Sequence, residues 1–395
     1  MKDACLRVGI DVGSAKHQVG ILSPEGALLE EFEISHDSCG FDEFFSRIEA
    51  HRKENDLLVK VAAEGCNGHI RPLDQKVINK GYELFNVNNL KLARFKEVFP
   101  GAAKTDKIDA IKILELFSLQ QLLPMAKEVL QPVFSVPEEN EKLKALSRRR
   151  KQLVEEKVVV ENRMFANLNA VCPGLARITG KADNIWFLNF LTSRDELPRL
   201  ARMTKKGILG ISGVGKKYAS QIEKWQKTAE FSSRVEYVGP MVTEDAKRML
   251  ELKSQIKRLE KEIGPLVDQS DLARRLNTIP GFGTITSAEL AGEIGTLDRF
   301  ESEDSLALYL GMCPLDNSSG KSKGSKAPRH VNKRAKSAIM TAVDRHIRSV
   351  PRSKAYYDKK RSEGKKHNQA IRAMGRHMVR VIWSMMKNEE DYELR

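Results

Sequence analysis

The sequence predicts an α/β domain at the N-terminus, followed by a mainly α-helical remainder. Residues 6–64 contain four short apolar runs separated by turn signals, whereas apolar residues beyond Pro137 recur at spacings of three and four. At 395 residues, the chain is also long enough for two or three domains with separate cores.

The first three strands are predicted from alternating apolar residues at 6–11, 17–22 and 27–34, with turn residues between them. Asp11 closes the first of these runs, and Glu64 closes the fourth run, at 57–63. If those two strands are parallel neighbours, their ends bring the two carboxylates together.

Two further acids stand at the start of a helical pattern that continues through Phe117. Asp106 and Asp109 are three residues apart, so one helix can direct both toward the same point. Taken singly, each of the four acids also fits a solvated cap of a strand or helix. Together, Asp11, Glu64, Asp106 and Asp109 predict a metal site.

Crowded carboxylates repel one another, and a hard divalent cation offsets that repulsion. Oxygen-only ligands, without a nearby set of Cys or His, favour Mg²⁺ or Mn²⁺ over zinc. Two such ions about 4 Å apart can hold the attacking and leaving oxygens of a phosphodiester. The pattern is typical of a nuclease.

The charge supports a nucleic-acid partner, because 67 Lys and Arg residues outnumber 53 Asp and Glu residues and give a formal net charge of +14. No apolar stretch approaches the roughly 20 residues of a membrane span, and the scattered cysteines suit a reducing cytoplasm. They form no Cys-x-x-Cys pair, which argues against a disulfide framework or a zinc site. The five are Cys5, Cys39, Cys66, Cys172 and Cys313.

Two long amphipathic helices are predicted, one from Pro137 and one over 245–268. The apolar seam of the second, from Met249 to Leu266, alternates steps of three and four as a coiled coil requires. We expect the two helices to pair, within one protomer or between protomers. The alternative is that both pack on the surface of a globular core.

Gly-x-Gly hairpins at 209–215 and 276–283 each separate two predicted helices. In helix-hairpin-helix elements such a turn presents backbone N–H groups to a DNA phosphate, although an ordinary helix-to-helix turn has the same pattern.

The Ser- and Lys-containing segment 310–324 is typical of a flexible, solvated turn. A serine there can act as a nucleophile on a phosphodiester if a metal or neighbouring basic groups lower the cost of ionising it. Residue chemistry alone leaves Ser318 and Ser319 as alternatives.

Together these motifs resemble the DEDD-type insertion-sequence transposases related to the Piv site-specific invertase. The N-terminal motifs are Gly-Ile-Asp-Val-Gly-Ser-Ala-Lys, Ala-Glu-Gly and Lys-Thr-Asp-Lys-Ile-Asp-Ala, at 9–16, 63–65 and 104–110. In the C-terminal half, 279–283, 293–295, 299–300 and 310–320 follow the family's serine-domain pattern. The resemblance covers most of the chain.

The resemblance implies a RuvC-like, RNase H-type domain that carries the tetrad Asp11, Glu64, Asp106 and Asp109. It also implies a catalytic serine immediately before Gly320, which is Ser319. Members of the family are recombinases that act on donor and target DNA as oligomers, guided by a structured RNA. Our domain prediction is a RuvC-like catalytic domain at 1–135, a helical and coiled-coil segment at 136–204, and a helical serine transposase domain at 205–395.

The chain departs from the family pattern at Val331, where a glycine is usual, and at Lys336, where an arginine is usual. A missing glycine raises the cost of a left-handed backbone, and lysine cannot make the two-pronged phosphate contact of arginine. The sequence leaves open whether these changes impair activity, which DNA sites and guide RNA are used, and whether the oligomer is a dimer or a tetramer.

Two other functions fit part of the sequence. Residues 9–14 also resemble the first phosphate loop of actin-like ATPases and sugar kinases, but no second Asp-x-Gly loop follows downstream. A non-catalytic nucleic-acid-binding scaffold explains the charge and the hairpins but leaves the acidic tetrad unexplained.

Overall fold

The computed structural model describes residues 4–52, 57–64, 71–87, 110–117, 129–316, 325–326, 328 and 331–393. The chain forms two compact units, Met1–Ser135 and Val136–Arg395. The three-part domain division stays a prediction.

The first unit is built on a mixed sheet with the strand order β3-β2-β1-β4-β5-β6. β1 pairs in parallel with β4, and β4 with β5, whereas the β1–β2, β2–β3 and β5–β6 pairs are antiparallel. This sheet confirms the predicted α/β class of the N-terminal part. Its elements are β1 Cys5–Val12, β2 Lys16–Leu22, β3 Leu28–Ser35, α1 Ser38–Arg52, β4 Leu58–Glu64, α2 Arg71–Asn79, β5 Glu83–Val87, a helix at 110–117 (α3) and β6 Leu130–Pro132.

The two faces of this sheet are covered by different helices, because side chains alternate along each strand. On one face, Val8 and Ile10 of β1 share a core with Phe44 of α1 and Leu73 of α2. On the other face, Ala62 of β4 belongs to a second cluster with residues of α3.

The second face is shaped by two glycines that pair across the sheet, Gly9 of β1 and Gly20 of β2. A Cβ on Gly20 would lie 2.7 Å from Leu114 Cδ1, and one on Gly9 would lie 2.8 Å from Leu114 Cγ. Real Cβ atoms do not lie this close to another atom. A residue larger than glycine at either position would therefore clash with Leu114. The glycines thereby let α3 lie directly against the backbone of β1.

The second unit is mostly helical, as the sequence predicts. Its helices are α4 Glu138–Val171, α5 Ile185–Leu191, α6 Leu197–Leu200, α7 Lys205–Leu209, α8 Lys216–Gln226, α9 Val235–Gln269, α10 Asp271–Asn277, α11 Thr284–Ile294, α12 Glu303–Tyr309, α13 Lys333–Ser349, α14 Pro351–Ser362 and α15 His367–Lys387. Short 3₁₀ turns cover Leu175–Ile178 and Leu297–Arg299, and two short strands, β7 Leu315–Asp316 and β8 Ser325–Lys326, pair with each other.

The two long helices, α4 and α9, pair with each other inside this unit. Ion pairs link Arg150 to Glu260 at 2.7 Å and Glu156 to Arg248 at 2.6 Å, so the numbering of one helix rises as that of the other falls. The helices are therefore antiparallel. Met249 and Leu252 of the predicted seam are fully buried, in a cluster that also contains α4 residues. The pairing lies within one chain, and its supercoiling stays a prediction.

The two Gly-x-Gly segments form matching turns between helices. Gly213 and Gly281 have positive φ angles of 84° and 90°, which glycine adopts without steric cost. In each turn a backbone N–H closes onto the carbonyl three residues earlier, from Val214 to Ile211 at 3.0 Å and from Phe282 to Ile279 at 2.9 Å. Binding of DNA phosphate by these turns stays a prediction.

His346 of α13 joins the second of these turns to α14. Its ring is 1% exposed, Nδ1 lies 2.7 Å from the Pro280 carbonyl oxygen, and Nε2 lies 3.0 Å from Ser353 Oγ. Because a carbonyl only accepts, Nδ1 carries a proton and donates it, while the neutral Nε2 accepts from the serine hydroxyl. Burial lowers the pKa of this imidazole below its usual 6.5, and the Pro280 contact opposes that shift only in part.

We expect stability to fall as the pH drops below the usual histidine value of 6.5. A lowered pKa in the folded state means that the unfolded chain binds a proton first, so the free energy of unfolding decreases through that range. Thermal unfolding at pH 7.5 and at lower pH should show a smaller decline for His346→Gln than for the unchanged chain. His367→Gln, which removes an exposed histidine, should leave the decline unchanged, and equal declines in all three proteins would contradict the prediction.

Candidate active site

Asp11 and Glu64 stand at the ends of neighbouring parallel strands. The β1–β4 register pairs Ile10 with Ala63, and the next residue on each strand is Asp11 or Glu64. Adjacent strands are about 4.8 Å apart, so the two backbones place these residues side by side. Both residues are half-buried.

Both carboxylates project from the face that α3 covers. Asp11 is two residues beyond Gly9, and Glu64 is two residues beyond Ala62, so each shares the face of that small residue. At Gly9, a Cβ would lie 2.9 Å from the carbonyl oxygen of Ala110, the first described residue of α3. The beginning of α3 therefore lies against β1 at Gly9, which is two residues from Asp11 on the same face of the strand.

The other two predicted acids, Asp106 and Asp109, lie outside the described residues. Within the described ranges, no group of three or more His, Cys, Asp or Glu side chains is placed to hold a metal ion. Asp11 and Glu64 nevertheless provide hard oxygen donors at adjacent positions, which is the donor chemistry that Mg²⁺ and Mn²⁺ prefer.

Ser318 and Ser319, the candidate nucleophiles, also lie outside the described residues, but both ends of their segment are described. β7 and β8 pair in antiparallel register, with Asp316 opposite Ser325. Residues 317–324 therefore connect two hydrogen-bonded strands.

A buried polar network joins the helices on either side of this hairpin. Glu293 of α11 is 1% exposed, and its two carboxylate oxygens accept from Arg148 of α4 at 2.6 and 2.8 Å. Asn332 Nδ2 donates to Glu293 Oε2 and to the Tyr309 hydroxyl oxygen, each at 2.7 Å. The Tyr309 hydroxyl donates in turn to the Glu293 carbonyl oxygen at 2.6 Å.

The same asparagine begins α13, because its side-chain oxygen accepts from the backbone N–H groups of Arg334 and Ala335 at 3.0 Å each. Its own backbone N–H donates to the Tyr309 carbonyl oxygen, also at 3.0 Å. The last residue of α12 and the residue before α13 are thus held together by two hydrogen bonds. This contact fixes the positions of the two chain segments that flank β7 and β8.

The network also determines the charge of Glu293. Burial alone would raise the pKa of this carboxyl, but the hydrogen bonds from Arg148 and Asn332 outweigh burial and leave the pKa below its usual 4.5. Glu293 is therefore ionised at neutral pH.

Val331 does not adopt the left-handed backbone for which the missing glycine would be costly. Among the described residues, Glu389 is the sole non-glycine residue with a positive φ. At the second departure, the alkyl chain of Lys336 packs over Gly311, where a Cβ would lie 2.8 Å from Lys336 Cδ.

None of the helices in the described part of the chain has the length and apolar content that a bilayer span requires.

Two transposase family models match the chain. The DEDD transposase model of IS110 matches residues 8–173, and the model described as "Transposase IS116/IS110/IS902 family" matches residues 273–358. The first match begins inside β1 and contains β4 and Arg148, and the second contains Glu293, Tyr309, Asn332 and the strands β7 and β8.

Full-length relatives and one solved structure are also similar. The "Insertion element IS110 uncharacterized 43.6 kDa protein" of Streptomyces coelicolor is 26% identical over all of this chain and 97% of that protein. The "Insertion element IS116 uncharacterized 44.8 kDa protein" of Streptomyces clavuligerus is 24% identical over 97% of this chain and 94% of that protein.

The structure of Thermus thermophilus RuvC in complex with a Holliday junction substrate aligns with 33% of this chain and 99% of that chain. Its sequence identity is 12% and its TM-score is 0.24, which is too low to assign a fold.

The two family models together match more than half of the chain, and the insertion-element relatives extend along nearly all of it. The chain is therefore a DNA transposase and belongs to the IS110/IS116 family of insertion-element transposases.

Proposed function

We propose that this transposase cuts and rejoins DNA with a metal-binding tetrad, Asp11, Glu64, Asp106 and Asp109, and with Ser319 as nucleophile. The observation that carries the proposal is the placement of Asp11 beside Glu64, on the sheet face against which α3 begins.

Covalent geometry connects the other two acids to this point. Asp109 precedes Ala110, and consecutive Cα atoms are about 3.8 Å apart, so Asp109 is within one residue of the α3 start that contacts Gly9. Asp106 is three residues earlier, a spacing that shares a face if the helix extends that far. A RuvC-like arrangement of four acids around one site is consistent with these positions.

In this site the carboxylates would hold Mg²⁺ or Mn²⁺, which supplies charge stabilisation to the oxygens of the phosphodiester. The protein itself contributes rigid placement, because two acids are at the ends of hydrogen-bonded strands and α3 rests on the sheet without an intervening side chain.

Ser319 would supply the attacking hydroxyl. Its Oγ would bond to phosphorus while the bond from phosphorus to a deoxyribose oxygen breaks, and the serine proton would leave with that oxygen. β7 and β8 pair on either side of residues 317–324, a segment whose sequence includes Lys321 and Lys323, and these two charges would offset phosphate charge.

We further propose a homo-oligomer and a structured guide RNA as partners. The α4–α9 pair exposes apolar side chains on its outside, including Val159, Phe165 and Tyr237, and such side chains are typical of a surface that another protomer covers. The net charge of +14 suits both DNA and RNA.

The test of this function is the covalent intermediate. On a nicked suicide substrate carrying an end of the element, the unchanged protein should form a protein–DNA adduct, and peptide mass spectrometry should locate the adduct at Ser319. Ser319→Ala should abolish the adduct and leave DNA binding intact, because the change removes only the nucleophilic oxygen. Ser318→Ala is the matched control and should have a much milder effect.

An adduct on another residue would disprove the assignment of Ser319. Full recombination by Ser319→Ala would do the same.

A further inference from the structure

Helix α14 has almost no apolar side to bury. Ser353 is its one buried residue among 12, and its remaining side chains are exposed or half-buried. A helix that is polar on all sides is not explained by core packing, so its surface chemistry is the more informative property.

That surface is strongly basic. Residues 351–372, which include α14, the following turn and the start of α15, contain eight Lys or Arg and two acidic residues, a net charge of +6 within a chain of +14. We call residues 351–372 the basic hairpin.

Both acids of the basic hairpin are neutralised within it. Asp358 pairs with Lys354 at 2.5 Å, and Glu363 pairs with Lys360 at 2.8 Å. Among the described residues, no carboxylate lies within ion-pair distance of the side chains of Lys359, Arg361, Lys365 and Lys366, and all four of these residues are exposed. Four positive charges thus face solvent together.

Hydrogen bonds to α13 and α15 hold helix α14 of the basic hairpin in place. Ser353 bonds to the buried His346 of α13, the Tyr356 hydroxyl lies 3.0 Å from His377 Nε2, and the Tyr357 hydroxyl lies 2.8 Å from His367 Nδ1. These contacts tie α14 to α13 and α15 without using the four exposed basic side chains. The charged surface is therefore formed before any partner binds, which reduces the ordering cost of binding.

We propose that the basic hairpin binds the phosphate backbone of duplex DNA. The choice of DNA rests on the transposase function. Lys359 and Arg361 are in the last turn of α14, and Lys365 and Lys366 follow in the turn before α15, so the four exposed charges are presented within eight residues of one another. Charged contacts of this kind position the duplex and do not read its sequence.

The salt dependence of binding tests this proposal. We would measure the affinity of the full chain for a duplex of arbitrary sequence at several salt concentrations, for the unchanged protein and for the triple variant Lys359→Gln, Arg361→Gln and Lys365→Gln. Each lost phosphate contact reduces the slope of log K against log salt by about 0.9, so the triple variant should lose about 2 to 3 units of slope. Circular dichroism should show unchanged helix content.

A matched control removes the same charge elsewhere. The side chains of Lys247, Arg258 and Lys261 on α9 are exposed and have no ion pair among the described residues, so the corresponding triple Gln variant should keep the unchanged slope. If both triple variants lost the same amount of slope, the effect would come from net charge alone. That result would overturn the proposal.

A triple variant that keeps its DNA slope but loses binding to a structured RNA would show that the basic hairpin binds RNA, and the proposal would be wrong. Because the readout is binding, it does not depend on Ser319 or the acidic tetrad. If the covalent adduct did not form, that result would therefore contradict only the proposed mechanism and not DNA binding by the basic hairpin.

Discussion

Asp11→Asn should reduce DNA cleavage by on the order of 10³-fold, while the protein remains folded. The substitution keeps the shape of the side chain and removes the negative charge that would hold a divalent ion beside Glu64. Half-buried at the end of β1, Asp11 belongs to neither apolar cluster of the first unit, so stability should change little. Cleavage of a labelled element end in Mg²⁺ gives the rate, and chelation of the metal should abolish cleavage by the unchanged protein.

The matched control is Asp42→Asn, the same chemical change on α1. Asp42 is exposed, and α1 covers the opposite face of the sheet from Asp11. This variant should cleave at the unchanged rate. If Asp11→Asn also cleaved at that rate, the metal site would have to lie elsewhere.

Glu293→Ala should destabilise the protein by about 1.5 to 3 kcal/mol. The change removes the buried partner of Arg148, whose side chain is 35% exposed, and Asn332 also loses an acceptor. Glu156→Ala, which breaks a half-exposed pair with Arg248, should cost about 1 kcal/mol or less. Urea unfolding of both variants measures the difference, and equal losses would show that the Glu293 network adds nothing beyond a surface ion pair.

Lowering the pH should also remove the stabilisation that the ionised Glu293 provides. Because the pKa of Glu293 is lower in the folded state, its contribution is complete above the usual carboxyl value of 4.5 and is lost as the pH falls through the folded value.

The sheet and its carboxylates were predictable because their signals are local. Alternation predicts β1 and β4, and each acid follows the apolar run of its strand, so parallel pairing suffices to place Asp11 beside Glu64. The roles of Gly9 and Gly20 were not predictable, since each depends on Leu114, which lies about ninety residues or more further along the chain. In the sequence a strand glycine indicates only that something approaches closely.

The Glu293 network was missed for the same reason. Arg148 and Glu293 are 145 residues apart, and each is part of a helical pattern in which a charged residue normally faces solvent. The signal that could have indicated this network is Asn332 directly before a helical pattern, because asparagine is a preferred helix N-cap.

Membership of the transposase family sets aside the two alternatives that fit part of the sequence. A scaffold without catalytic activity and an actin-like or sugar-kinase-type ATPase are both incompatible with a DNA transposase. The oligomer, the guide RNA and the cytoplasmic location stay predictions.

The pairing of β7 with β8 limits how far the candidate nucleophile can travel. Ser319 is the third residue after Asp316, and Cα atoms are about 3.8 Å apart, so its Cα remains within about 11 Å of the last β7 residue in any conformation of the hairpin. The covalent length of the segment therefore rules out a long reach from β7. A phosphate that Ser319 attacks would therefore have to come close to the paired strands β7 and β8.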